Sequence, residues 1–193
     1  NLGILSLFMF VFIATAIANP TFINAYNLEN LITRASLYGI IGIGVTFVIV
    51  TGGIDLSIGS VIGLVGTMLP FLLIEKELSI FLALPAVALL SAAIGLSHGL
   101  LVTRLNLQPF VITLCGLLIY RGAARWLTGD ATQGFKGQYK GLTWLANGKI
   151  HLVGEFDLPV PFLILITLAI IAAVFLNKTI YGRYLLALGN NEQ

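Results

Sequence analysis

The chain has 193 residues, of which 58% are hydrophobic and only 9% charged, with a mean hydropathy of +1.01. That leaves too little polar surface to clothe a water-soluble globule of this size, so the sequence belongs in a bilayer. Ten Lys and Arg against eight Asp and Glu give a formal charge of +2, a balance too slight to point to nucleic acid or to a polybasic lipid patch.

Spanning helices need about 20 largely apolar residues, with a range of roughly 17 to 25, and five or six such segments fit. The first runs from Leu2 to Ala18. It lacks the charged leader and the cleavage site of a signal peptide, so it reads as a spanning helix. The chain begins without Met and stops at NNEQ without a polar tail, so both ends look cut. After Asn19-Pro20 the stretch TFINAYNLENLITR is polar enough to lie along an interface as a short surface helix. The second segment is expected from Ala35 to Val50, and the third from Ser57 to Ile74. Between them TGGIDL makes a gap too short for an ordinary aqueous loop, and EKE (75–77) follows. A fourth segment runs from Ile80 to Val102 and a fifth from Pro109 to Thr128; a hydrophilic stretch over 129–157 precedes the sixth, Leu158 to Leu176. The fold class is therefore all-α: a polytopic helical integral membrane protein of about six spans with a broken-helix hairpin at 51–58.

Small residues at four-residue spacing permit close backbone approach between helices in lipid. Gly59 and Gly63, then Ser91, Gly95 and Gly99 supply such faces, and Gly39, Gly42 and Gly44 crowd the second segment. They fit either tight structural packing or a moving seam.

Asp55 stands alone between two apolar runs, with Gly52, Gly53 and Gly59 around it. A carboxylate at the centre of a spanning helix costs about 2.5–3.5 kcal/mol on insertion scales, so something compensates. The glycines break the helix and free backbone N–H groups at the start of the third segment, with Asp55 or Ser57 as N-cap. Two compatible readings stay open: a capped turn near the membrane surface, or a broken helix lining a water-filled cavity.

Arg121 and Arg125 lie four apart on one helical face beside Tyr120 and Trp126. Snorkelling to the interface explains them. A pathway for hydroxyl-rich solutes uses the same chemistry, with guanidinium donors for hydroxyls and aromatic faces for sugar C–H surfaces, extended by Asn106, Gln108 and Thr113. With one cysteine, Cys115, and two histidines, His98 and His151, ligand clusters for a metal are lacking, and no cofactor is expected in this chain. Catalytic patterns such as HExxH and GxSxG, and the phosphate-cradling GxxxxGK[ST], are absent. An uphill transporter of this kind needs its ATP-handling machinery on another chain and a docking surface for it. The last stretch, where Tyr184, Leu185 and Leu188 make an apolar stripe on a short helix that Gly189 and Asn190 can end, is a candidate.

TGGIDLSIGS (Thr51 to Ser60) closely resembles the TGGIDLSVGS signature of ATP-binding-cassette permeases for ribose, xylose and related sugars. LQPFVITL (Leu107 to Leu114), YRG (Tyr120 to Gly122) and TIYGRYLLALGNNE (Thr179 to Glu192) resemble later family segments in order. The resemblance covers essentially the whole chain and implies a single transmembrane permease domain, 1–193, the amino-terminal portion of a longer permease. It implies a monosaccharide importer of the bacterial cytoplasmic (inner) membrane that is not itself an enzyme. Its partners would be a second permease subunit, identical or related, two cytoplasmic ATP-binding-cassette subunits and an extracytoplasmic sugar-binding protein. Residues 129–157 would lie outside and 178–193 inside, with Tyr181, Gly182, Arg183, Gly189, Asn191 and Glu192 coupling to the ATPase. Gly52, Gly53, Asp55, Ser57 and Gly59 would form a helix break near the gate, and Gln108, Thr113, Tyr120, Arg121 and Arg125 a substrate pathway. The alternatives are an ion-coupled carrier with Asp55 as proton site and a membrane-embedded enzyme using Asp55 with Arg121.

Overall fold

The computed structural model describes residues 2–153 and 156–190. Among these, five helices are long and apolar enough to cross a membrane, and the 17-residue Leu2–Ala18 helix is a shorter apolar sixth. The chain divides into two compact units, Asn1–Gly44 with Lys140–Gly182 and Val45–Tyr139 with Arg183–Gln193.

In the first unit, α1 (Leu2–Ala18) buries no residue, as expected of a helix apolar on every side that faces lipid. The Asn19 side chain accepts hydrogen bonds from the Thr21 N–H (3.1 Å) and hydroxyl (2.6 Å) and so caps a 3-10 turn, Pro20–Ile23. Phe22 of that turn meets Phe12 of α1 edge-on at 5.2 Å. The stretch expected as a separate surface helix is instead continuous with the second span: α2 runs Ala25–Val50. Asn24 starts it by accepting from the Tyr26 N–H at 3.1 Å, and no residue between Ala25 and Ala35 is a helix breaker, so nothing divides it. Leu165 of α7 (Val160–Lys178) lies where a Cβ on Gly39 would stand, so α7 approaches α2 at a glycine.

The hydrophilic stretch before α7 is folded. It contains α6 (Lys140–Asn147) and an antiparallel hairpin, β1 (Lys149–Val153) with β2 (Phe156–Pro159). The hairpin is tied to α2 by Glu29, which is 4% exposed. The Glu29 carboxylate accepts from Lys149 Nζ at 2.6 Å and from the Asp157 N–H at 2.8 Å, while Lys149 Nζ sits 5.4 Å from the Tyr26 ring centre. The hydrogen bond to Glu29 raises the Lys149 pKa above the usual lysine value. Lysine's share of the pair's stabilisation is thus complete below the ordinary lysine pKa and is lost only as pH climbs through the raised one. Glu29→Ala strands the ammonium and an N–H in a nearly closed site, so it is expected to lower the melting temperature followed by circular dichroism. Glu29→Gln, which keeps an acceptor for Asp157, is expected to lower it less; identical melting of all three proteins would contradict the role.

In the second unit, α3 (Ile58–Pro70) continues as a π-helical turn, Phe71–Glu75. Pro70 has no N–H to donate to residue 66, and the ladder slackens until Lys76 N–H donates five residues back to Phe71. The helices α4 (Ile80–Leu105) and α5 (Pro109–Thr128) follow. Leu64 and Leu73 are buried, as are Ala83, Val87 and Ile94 on α4; α3 and its π-helical turn pack on α4, and α3 packs most extensively on α5. Since lipid tails are as apolar as these side chains, the contact depends on close packing more than on burial from water. Asn106, in left-handed conformation (φ 50°), ends α4 with its N–H on the Leu101 carbonyl. Beyond α5, Lys136 pairs with Glu75 at 2.8 Å and the Tyr139 hydroxyl donates to the Leu73 carbonyl at 3.4 Å, holding 129–139 over the end of α3. The last helix, α8, is Ile180–Asn190.

Candidate functional site

The site is assembled within the second unit around the turn that joins α2 to α3. Its first half closes α2: Gly52 adopts φ +76°, its N–H donates to the Ile49 carbonyl, and the Gly53 N–H reaches back to Val48. This is a Schellman cap, which requires a residue free to take the left-handed region at Gly52. Gly53 has a different reason: a Cβ there would lie 3.2 Å from a Val48 methyl and 3.3 Å from the Val48 carbonyl oxygen.

Its second half is held by Asp55. One carboxylate oxygen accepts from both the Ser57 N–H and the Ser57 hydroxyl, each at 2.7 Å. Ser57 is 1% exposed and occupies the N-cap position of α3, with its own hydroxyl turned back to Asp55 and not forward onto the helix. Its carbonyl accepts from the N–H groups of Ser60 and Val61, both at 2.9 Å. Asp55 therefore organises the N-cap residue, and Ser57 carries that order into the first turn of α3. Thr113 of α5, 4% exposed, stands against the turn from the other side: its hydroxyl donates to its own Pro109 carbonyl at 2.8 Å, and the same oxygen lies 3.3 Å from the Ile54 carbonyl.

Two cavities flank α3. The larger, about 430 Å³, lies between α3 and α5, with Gly59, Ser60, Gly63 and Thr67 facing Arg121 and Arg125. Arg125 is paired with Asp130 at 2.8 Å, both well exposed. Among the described residues Arg121 has no ion pair. The smaller cavity, about 210 Å³, lies between α3 and α4 and is lined by Asp55, Ser57, Ser91, Gly95 and His98. Asp55 and Arg121, which an embedded enzyme would use together, thus line different cavities.

Of the glycine faces, Gly39 alone among the residues named is closely packed, against Leu165. Cβ atoms added at Gly42, Gly44, Gly59, Gly63, Gly95 or Gly99 would meet nothing within 4 Å; on α3 and α4 the small residues make cavity walls. Gly116 is where α4 and α5 close up. A Cβ there would fall 2.8 Å from the His98 ring and 2.9 Å from Tyr120, whose hydroxyl shares a 2.8 Å hydrogen bond with His98 Nε2. Tyr120 consequently belongs to the His98 contact and does not line the arginine cavity; Gln108 lies apart from both, in a shallow pocket with Gly52 and Phe110. Gly116→Val is expected to destabilise the unit by about 1–3 kcal/mol through overpacking, read as a lower denaturation midpoint in detergent. An unchanged midpoint would mean the two rings are free to move apart. His98 is legible in the sequence only as a lone histidine in an apolar run, and its partner lies 22 residues away.

The turn between α7 and α8, in the first unit, is organised by Thr179. Its hydroxyl donates to the Phe175 carbonyl at 2.6 Å and accepts from the Gly182 N–H at 3.0 Å, closing one helix and opening the next. Gly182 is buried against the Phe175 and Leu176 backbone with no room for a Cβ. In the second unit α8 is described through Gly189 to Asn190 and leaves Arg183, Tyr184 and Leu188 exposed; Tyr181, on the first turn of α8, is exposed as well. Asn191 and Glu192 lie outside the described residues. No group of three or more His, Cys, Asp and Glu is placed to hold a metal among the described residues.

Comparison with known proteins adds an independent finding. The profile of a family described as branched-chain amino acid transport system / permease component matches residues 27–193. The chain is 34% identical to the ribose import permease protein RbsC of Haemophilus influenzae over 176 residues, 90% of this chain and 53% of that protein. It is 33% identical to the protein of the same name from Bacillus subtilis over 193 residues, 98% and 56% of the two chains. With the galactose/methyl galactoside import permease protein MglC of Escherichia coli it shares 32% identity over 188 residues, 91% and 55%. The chain spans about half the length of these curated relatives. No solved structure matches it.

Proposed function

Because this chain belongs to the branched-chain amino acid transport system / permease component family, as a multi-pass protein of the bacterial cytoplasmic membrane, we propose that it is part of the translocation subunit of an ATP-driven monosaccharide importer. The observation that carries this reading is the family match, which runs from the first turn of α2 through α8. The names of the ribose and galactose permeases supply the solute class. Solute is moved, not altered, and ATP is bound and hydrolysed by separate cytoplasmic subunits.

In this arrangement residues 129–157 face outward toward a sugar-binding protein and 178–193 face the cytoplasm, with a second permease subunit completing the pathway. Closure of the ATPase subunits displaces α8 and biases the bundle between outward-open and inward-open states. The Asp55 turn keeps the start of α3 rigid near the inner gate. The cavity between α3 and α5, with one guanidinium unpaired among the described residues and hydroxyls opposite, offers hydrogen bonds to a hydroxyl-rich solute.

Affinity purification of the full-length permease from its native membrane tests the reading. A nucleotide-binding subunit is expected to co-purify, and ATP turnover is expected to rise when binding protein loaded with a monosaccharide is added; titrating a panel of sugars identifies the solute. Purification without any such subunit would contradict the proposal.

A further inference from the structure

Gly189 marks a contact that its place in a helix does not explain. The sequence lets Gly189 and Asn190 end α8, and α8 is described as far as Asn190; the absent side chain at Gly189 has a spatial reason besides. A Cβ on Gly189 would collide with the backbone carbonyl of Val50, the last residue of α2, and would stand 3.8 Å from the Thr51 Cα. The obstacle is main chain, so no side-chain rotation relieves it. Alanine, serine or any larger residue there must push α8 away from the end of α2.

What Gly189 touches is the start of the Asp55 turn. Thr51 is tied to α2 by its N–H and hydroxyl on the Val48 carbonyl. Two residues past the Schellman glycine, the Ile54 carbonyl lies 3.3 Å from the Thr113 hydroxyl of α5, and Asp55 fixes Ser57 at the N-cap of α3. A short rigid path therefore runs from α8 through the Val50–Thr51 backbone to α3, which forms one wall of both cavities. Its residues, from Gly189 through Val50, Thr51, Ile54 and Asp55 to Ser57, all lie in the second unit.

We propose that Gly189 is a positioning residue for transport: its bare backbone lets α8 bear directly on the turn, so that a displacement of α8 is delivered to α3 and to the wall of the α3–α5 cavity. This rests on the permease reading, in which α8 is the segment that the ATPase moves. Gly189 acts through the turn and touches no solute.

The test uses the full-length permease with its ATPase subunits, in a background from which the native cysteines, Cys115 among them, have been replaced by serine, carrying Ile54→Cys, whose side chain is 56% exposed on the turn. The thiol labelling rate is compared with and without non-hydrolysable nucleotide. In the parent, nucleotide is expected to change the rate; with Gly189→Ala added, the change is expected to be lost while the ATPase subunits still co-purify. A dependence on nucleotide that survives Gly189→Ala, or one that is absent from the parent, overturns the inference. Failure of the ATPase subunits to co-purify with the parent overturns the permease reading itself. Should Gly189→Ala fail to fold, spin labels at Ile54→Cys and the exposed Ala187→Cys in an otherwise native contact decide the matter. Their separation is expected to stay constant between nucleotide states because helix and turn move together, and a separation that changes overturns the inference.

Discussion

Asp55→Ala in the full-length permease is expected to reduce sugar uptake at least about ten-fold while leaving its abundance in the membrane unchanged, because each hydrogen bond to a charged acceptor contributes about 1.5–3 kcal/mol. The substitution removes the acceptor of both the Ser57 N–H and the Ser57 hydroxyl, and water entering from the cavity that both residues line does not hold the turn in one geometry as a carboxylate fixed to the backbone does. The α2–α3 turn then loses its definition, and α3 loses its fixed starting point. Insertion is governed by the apolar segments and is spared, since removing a carboxylate lowers the insertion cost. Asp55→Asn retains a carbonyl oxygen in the same place and is expected to restore most of the uptake. Equal loss in both variants would move the explanation from the shape of the turn to the charge. Normal uptake by Asp55→Ala at normal abundance would remove Asp55 from the mechanism.

Arg121→Ala is expected to lower the maximal uptake rate by about ten-fold, the loss of one charge-assisted hydrogen bond to the passing solute, while loaded binding protein still stimulates ATP hydrolysis. That combination separates a solute contact from a coupling contact. Arg125, already held by Asp130 at the exposed end of the same cavity, is expected to matter less, because water screens both members of that pair. Uptake kinetics in right-side-out vesicles alongside ATP turnover measure both quantities. An unchanged rate for Arg121→Ala would place the solute path away from the α3–α5 cavity.

Local sequence is informative where one segment decides its own structure. Pro109 and Gly129 bound α5 as expected, since a proline suits the first turn and a glycine the left-handed C-cap. The helix break at 51–58 is visible because a glycine pair beside a lone carboxylate does not suit an unbroken helix in lipid. What stays hidden depends on partners distant in the chain. Glu29 looks like an interfacial residue, because its partner Lys149 is 120 positions away; without that pairing the start of α2 reads as a surface helix. The strands of the hairpin before α7 do alternate, as Lys149-Ile150-His151-Leu152 and Phe156-Asp157-Leu158, but over runs too short to stand out from a loop, and the pairing is irregular.

The glycines show the same divide. Their four-residue spacing identifies faces of low profile but not what fills them, and on α3 and α4 the small residues border open cavities. Steric neighbours crowd Gly116, which carries no such spacing, and Gly189, whose sequence context suggests a helix stop. A missing Cβ serves conformation at Gly52 and approach at Gly189, and only coordinates separate the two uses.

The central claim is that motion of a separate ATPase, received by α8, drives solute past the Asp55 turn. Reconstitution of the full-length permease with its ATPase subunits and loaded binding protein in proteoliposomes tests it directly. Sugar accumulation is expected to continue when the proton gradient is collapsed at constant ATP and to cease when ATP hydrolysis is blocked. Accumulation that persists without the ATPase subunits, or that disappears with the proton gradient while ATP is still hydrolysed, would contradict it.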